Sequence, residues 1–223
     1  MPKANAPVDL TDLYERIPVK ICPDAASGSA FLAQEIATLI KAKQAKGDKF
    51  VLGLATGSSP KKLYAELVRL HKQEGLSFKN VVTFNLDEYY PILKSAVQSY
   101  DHFMFSNLFN HVDIDRKNVH IPNGETPKES VKEHCQEYER MIIETGGIDL
   151  QVLGIGSNGH IGFNEPGSTV DSRTRLVTLD ALTRRDAARD FLGEANVPRH
   201  AITMGVGTVL DARSIVLMAW GES

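Results

Sequence analysis

At 223 residues the chain is long enough for one domain with a sizeable buried core. Its 42% hydrophobic and 24% charged residues are those of a water-soluble globular protein, and a net charge of −3 without a Lys/Arg block offers no nucleic-acid surface. No apolar run approaches the roughly 18 residues a membrane helix needs, and Met1–Leu13 lacks the apolar centre of a signal peptide. Cys22 and Cys135 fit no metal or redox spacing and suit a reducing compartment, so a cytoplasmic protein is expected.

In chain order, residues 1–18 read as a polar N-terminal arm with two prolines, and a strand is predicted near Val19–Cys22. A helix follows over Ser27–Lys46, with Phe31, Ile36, Leu39 and Ile40 on one face and Gly47 closing it. Phe50–Ala55 is a continuous apolar run, then a Thr56–Pro60 turn, then a helix over Lys61–Glu74. Val81–Leu86 is a second apolar run, ending at Asp87-Glu88. A helix over Ser99–Phe109, a short strand at Asn118–Ile121 and a long helix over Lys128–Thr145 come next. Ile148–Ile155 is a third apolar run, and Leu176–Leu179, Thr203–Met204 and Ser214–Trp220 are further strand candidates. Strands that are apolar on both sides and alternate with helices predict an α/β, Rossmann-like fold, its mostly parallel sheet covered by helices on both faces. Ligands in such sheets bind at the carboxyl ends of strands. Three polar loops lie at those ends: Thr56–Ser59, Asp87–Tyr90 and Gly156–Glu165.

Each loop has its own chemistry. Thr56, Gly57, Ser58 and Ser59 join a strand to a helix, so backbone N–H groups and hydroxyls there can receive a phosphate, although the Gly-Lys-Ser/Thr ending of a Walker loop is missing. Pro60 suits the first helical position. Asp87, at the end of a buried strand, could transfer protons if partly desolvated, and could equally cap a turn. Glu88 should point the opposite way on extended backbone. Gly154–Gly159 matches G-x-G-x-x-G, but Gly162, Pro166 and Gly167 break any helix that should follow, so the dinucleotide reading is rejected. What remains is an irregular loop that displays Asn158, His160 and Glu165, an imidazole with a carboxylate to orient it. Two candidate ligands are too few for a metal site. Among Arg173, Arg175, Arg184, Arg185 and Arg189, one or two could clamp a phosphate, and pattern does not say which.

The segments Leu54–Pro60, Thr83–Tyr89 and Gly154–Pro166 resemble those of glucosamine-6-phosphate deaminases, as do Ser99-Tyr100 with Phe103-Met104, Ser172–Arg175 and Gly205–Thr208. The likeness runs from about Val19 to the last residue, and Phe163-Asn164-Glu165-Pro166 is its most specific part. The resemblance implies isomerisation and deamination of glucosamine 6-phosphate to fructose 6-phosphate and ammonia, without cofactor or metal. It implies that His160 moves the ring proton with support from Glu165 and Asn158, that Asp87 moves a proton from C2 to C1, and that Thr56–Ser59 and Arg189 hold the phosphate. The protein is expected to act on a small sugar phosphate, to contact neither nucleic acid nor membrane, and to form a homo-oligomer.

Three departures from the family pattern stand out. Asn158 stands where some members have Asp; it can orient His160 but cannot ionise, so a supporting role is all that is expected of it. Ser168 and Arg175 match an allosteric site, but Val177 stands where the family has a lysine, so activation by N-acetylglucosamine 6-phosphate is not expected. After Trp220-Gly221-Glu222-Ser223 the family continues with a phosphate-binding lysine and C-terminal helices, so the domain at 19–223 is expected to lack those helices, with weaker substrate binding and exposed apolar sheet. Two other functions compete: a 6-phosphogluconolactonase-type hydrolase, which has no use for Asp87 as a carbon base, and a non-catalytic sugar-phosphate sensor, for whose DNA-binding module the N-terminal arm is too short.

Overall fold

The computed structural model describes residues 17–221; the expected N-terminal arm therefore falls almost wholly outside the described residues. Residues 19–22 do not form the predicted strand but run as irregular chain into the first helix. They pair with no strand among the described residues: Val19 and Ile21 are exposed, Ile21 at 92%, so this short apolar stretch is not core.

Helix α1 spans Ala25–Ala45 and starts where Asp24 accepts a bond from the Ser27 N–H at 2.7 Å. Its buried face is Leu32, Ala33, Ile36, Ala37 and Ile40, whereas Phe31 and Leu39 face solvent, a correction to the predicted stripe. The small Ala33 and Ala37 thus lie in the buried cluster, where the larger Phe31 and Leu39 do not. Strand β1 (Phe50–Leu54) leads to α2 (Lys61–Glu74), which starts one residue after Pro60 and ends at Gly75 in the left-handed conformation. Then come β2 (Val81–Asn85), β3 (Asp87–Tyr90), α3 (Tyr100–Asn107), β4 (Val119–His120) and α4 (Val131–Glu144), the last preceded by a 3-10 turn at Lys128–Ser130. Strand β5 (Leu150–Leu153) is followed by a loop of more than twenty residues, then β6 (Arg175–Thr178), α5 (Ala181–Ala187), β7 (His200–Thr203), α6 (Val206–Leu210) and β8 (Ile215–Leu217). No helix follows Gly159, as expected from the breakers Gly162, Pro166 and Gly167.

The main sheet is five-stranded and parallel, in the order β4-β2-β1-β5-β8. Strands β1, β2 and β5 are buried along their whole length because both faces are covered. One apolar cluster joins the sheet to α1, α2 and α3, and a second joins its other face to α4 and α6. The α/β fold with a mostly parallel sheet and helices on both faces is therefore present. From β1 the chain moves outward through β2 and β4, then returns to the other side of β1 with β5. This reversal opens a crevice between the carboxyl ends of β1 and β5.

A second, antiparallel sheet, β3-β7-β6, was not foreseen. It grows from the main sheet at Leu86, whose N–H bonds the Leu54 carbonyl at 3.0 Å and whose carbonyl accepts from the Met204 N–H at 2.7 Å. One chain segment thus serves both sheets, and the apolar run Val81–Leu86 ends at the residue that joins them. Leu52 lies at the centre of β1 with no exposed surface. Leu52→Ala should lower the free energy of unfolding by roughly 3 kcal/mol in urea titration.

Candidate active site

At the β1/β5 crevice lies a cavity of about 290 Å³. Thr56, Gly57, Ser58 and Ser59 line it from the end of β1, Asp87 from the joint after β2, and His160 and Phe163 from the loop after β5. Tyr89 and Tyr100 wall one side, and Thr183, Asp186 and Asp190 enter from α5 and the turns behind it. The three loops predicted from sequence to converge do so. Arg189 is exposed and outside the lining, whereas its neighbour Asp190 is within it. The lining holds three Asp residues and, among the described residues, no lysine or arginine.

Asp87 is 5% exposed and has no hydrogen-bond partner among the described residues. Burial, and secondarily the charge of Glu88, pushes its carboxyl up to about 8. Thr203 is its register partner on β7. The Thr203 hydroxyl accepts a bond from the Phe163 N–H at 3.1 Å and so ties the His160 loop to the strand beside Asp87. Gly162 adopts φ +56, and a Cβ there would stand 3.0 Å from Thr203 Oγ1 and 3.3 Å from Asp87 Oδ2. Only a glycine lets the loop pass this close to the carboxylate without strain.

His160 is oriented by a chain of polar contacts. Asn158 donates through Nδ2 to Glu165 Oε2 at 2.8 Å, which turns its Oδ1 toward the His160 ring. That oxygen lies 2.7 Å from His160 Nδ1 and also accepts the His160 backbone N–H at 3.1 Å. A carbonyl oxygen can only accept, so in the neutral ring Nδ1 carries the hydrogen and Nε2 keeps its lone pair. Glu165 Oε2 is 3.5 Å from the same Nδ1, and Oε1 accepts from the Asp180 N–H at 3.0 Å, which pins the start of α5. The ring lies flat over Gly156: a Cβ there would stand 2.2 to 2.5 Å from three ring atoms.

Ser168 and Arg175 do not join this cavity. They line a neighbouring one of about 390 Å³, together with Val177, Thr178 and the far side of Glu165. Arg175 donates to Asn164 Oδ1 at 2.9 Å and Ser168 Oγ at 3.1 Å. Buried Asn164 in turn donates to the carbonyls of Ile161 and Met204, at 3.0 and 2.8 Å. The sequence reading missed Tyr89, Phe163, Thr183, Asp186 and Asp190 as lining residues. The aromatic ones look like core in a one-dimensional pattern, and the others lie on a short helix and the turn behind it, which carry no periodic signal.

The arrangement defines an open α/β protein whose cleft pairs a buried, partnerless carboxylate with an oriented imidazole beside an anion-receiving turn. The family described as glucosamine-6-phosphate isomerases/6-phosphogluconolactonase matches residues 23–223, and the chain belongs to it. A glucosamine-6-phosphate deaminase-like protein of Bacteroides thetaiotaomicron is 46% identical over 94% of this chain, which spans 32% of that relative's length. A glucosamine-6-phosphate deaminase of Lysinibacillus sphaericus is 51% identical, over 84% of this chain and 79% of its own. Among solved structures, a monomeric glucosamine-6-phosphate deaminase is similar with TM-score 0.86 and 41% identity, covering 90% of this chain and 81% of its own. A 6-phosphogluconolactonase of Thermotoga maritima shares the fold at TM-score 0.62 and 22% identity, over 85% of this chain and 78% of its own. The homo-oligomer expected from sequence gains no support from the relative described as a monomer. No helix among the described residues is long and apolar enough to cross a membrane.

Asp87 binds its proton more tightly in the folded than in the unfolded chain, whose carboxyl titrates near 3.8. Its contribution is therefore present below about pH 4 and lost as pH rises through about 8. Asp87→Asn should be more stable than the wild type at pH 9, by on the order of 3 kcal/mol. The gain should vanish toward the acid side in urea titrations run across pH.

Proposed function

We propose that the chain carries the catalytic domain of a glucosamine-6-phosphate deaminase, with the domain at 19–223 holding the whole set of proton-transfer residues. The observation that carries this reading is Asp87, a buried carboxylate whose proton affinity is raised into the working range of a general base, facing one cavity with His160. The relative at 51% identity bears this activity in its name, and the one at 46% is named for its likeness to it.

The chemistry follows from the two groups. His160 Nε2, with its lone pair free, takes the proton from the anomeric hydroxyl of the sugar and returns one to the ring oxygen, which opens the pyranose. Glu165, through Asn158, holds the ring and offsets the charge that the imidazole gains. Asp87 then removes the C2 proton, now acidic beside the C1 aldehyde, and delivers it to C1. The amine-bearing C2 becomes an imine, water adds, and ammonia leaves with fructose 6-phosphate as the ketose. One water is consumed and one C–N bond broken, so the net reaction is a hydrolytic deamination without an external electron carrier.

The phosphate is assigned to the N–H groups and hydroxyls of Thr56, Gly57, Ser58 and Ser59, where a helix N-terminus favours an anion. Arg189 reaches it only by turning inward from its exposed position. Asp186 and Asp190 favour a substrate with an ammonium group, which an amino sugar has and a sugar lactone lacks. That contrast, with Asp87 idle in lactone hydrolysis, ranks the deaminase above the 6-phosphogluconolactonase reading. Ser168 and Arg175 are assigned to an effector pocket of reduced strength, since Val177 supplies no second cation there. A cytoplasmic setting is supported by Cys22 and Cys135, both free thiols.

Ammonia release from glucosamine 6-phosphate tests the reading, with glucosamine 1-phosphate as control; a folded, full-length protein that releases none would refute it. The rate should rise with pH along a limb near 8, where Asp87 ionises. Asp87→Asn should lower kcat by about a thousandfold or more, since proton transfer by a positioned base contributes that much. Gly156→Ala, which drives a methyl group into the His160 ring, should lower kcat by about a hundredfold with the fold intact by circular dichroism. Added N-acetylglucosamine 6-phosphate should leave the substrate dependence unchanged.

A further inference from the structure

Glu88 is the neighbour of Asp87 and is 1% exposed, yet it does not line the cavity. Its side chain turns away to the start of α3. There Oε1 accepts the backbone N–H groups of Tyr89 and Tyr100, both at 2.9 Å, and Oε2 accepts that of Asp101, also at 2.9 Å. These bonds do what a helix cap does, on a helix that Ser99 already caps through the His102 N–H at 3.0 Å. A second buried carboxylate is an expensive way to satisfy donors that an amide or hydroxyl could serve.

What α3 carries explains the placement. Its first residue, Tyr100, packs on Tyr89 with ring centroids 4.9 Å apart and stacks on Phe163 at 6.0 Å. Phe163 belongs to the loop of His160, whose ring is 6.3 Å from it. Glu88 therefore fixes, through one backbone bond, the aromatic wall that spans from α3 to the imidazole. Through the chain itself it also keeps a carboxylate beside Asp87.

We propose that Glu88 is a positioning residue for the proton transfer: it acts through Tyr100 by anchoring α3, and through Asp87 by holding a second carboxylate one residue along the chain from the base. The inference rests on Asp87 being that base. The other titratable groups coupled to Asp87 are Tyr64 on α2, Tyr89 on its own strand, Tyr100 on α3 and Tyr138 on α4, with His160, Asp186 and Asp190 sharing its cavity. The tyrosines stay neutral, because burial raises each of them further from their ordinary range. Burial also raises Glu88, to about 7, while its three N–H bonds oppose the rise. Above that pH its charge is present and disfavours a second charge on Asp87.

The test compares full-length wild type, Asp87→Asn, Glu88→Gln and Glu88→Asp by pH–rate profile, with thermal unfolding as the measure of folding. Glu88→Gln removes the charge, so the acid limb of kcat should move to lower pH by about one unit, as expected for one like charge lost at close range. Glu88→Asp keeps the charge but shortens the reach to α3. Its limb should stay in place while kcat falls about tenfold as the aromatic wall loosens. A merely structural role would lower kcat in both without moving the limb, and that result overturns the inference, as does wild-type behaviour of both. Should Glu88→Gln fail to fold, Glu88→Ser takes its place as the variant without the charge: a limb moved to lower pH supports the inference, and a limb at the wild-type position overturns it. An active Asp87→Asn, or an inactive wild type, refutes the base assignment and the inference with it. An inactive Asp87→Asn with an unmoved Glu88→Gln limb refutes the inference alone.

Discussion

The site depends on one pair of backbone hydrogen bonds at Leu86. Its N–H closes the parallel sheet on Leu54 and its carbonyl opens the antiparallel sheet through Met204. A strand that ended at Asn85 in an ordinary way would pass into a solvated loop, where a carboxylate titrates normally. Because the chain enters a second sheet at once, the next residue is covered by β7 on one side and the Gly162 turn on the other. Asp87 therefore reaches the cleft with only 5% of its surface exposed and no hydrogen-bond partner among the described residues, and its proton affinity rises by desolvation. The same joint sends Glu88 to the opposite side, where backbone donors receive it.

The two carboxylates show how one local sequence can give two fates. Both are buried, and both hold their protons more tightly than a free acid. Three N–H bonds offset part of the cost for Glu88; Asp87 has none among the described residues. A carboxylate without donors is a poor structural element and a good base, since the energy that burial costs the charged form is recovered when it takes a proton. On the other side of the cavity the logic reverses. His160 is held by a full set of contacts, and the amide of Asn158, fixed by Glu165, decides which ring nitrogen stays free.

The neighbouring pocket is joined to this machinery by short bonds. Arg175 reaches Asn164, and Asn164 reaches the carbonyls of Ile161 and Met204, the latter one residue past β7. Glu165 has one side toward each cavity. An anion beside Arg175 would therefore compete for donors that now order the His160 loop. Val177, which also lines this pocket, adds no charge to that of Arg175.

Much of this was written in the chain alone. Apolar runs at Phe50–Ala55, Val81–Leu86 and Ile148–Ile155 determined a covered parallel sheet, because strands buried on both faces need not alternate. Small and polar residues right after those runs marked the loops, since ligands gather where parallel strands end. The breakers at Gly162, Pro166 and Gly167 ruled out a dinucleotide turn. Tertiary structure alone decided the rest. The second sheet was invisible because β3 follows β2 with a single residue between them. The buried face of α1 depended on the small residues Ala33 and Ala37, which a hydrophobic stripe does not single out. The wall of Tyr100 and Phe163, and the split between Asp87 and Glu88, arise from groups far apart in sequence, whose neighbours and solvent exposure exist only once the chain has folded.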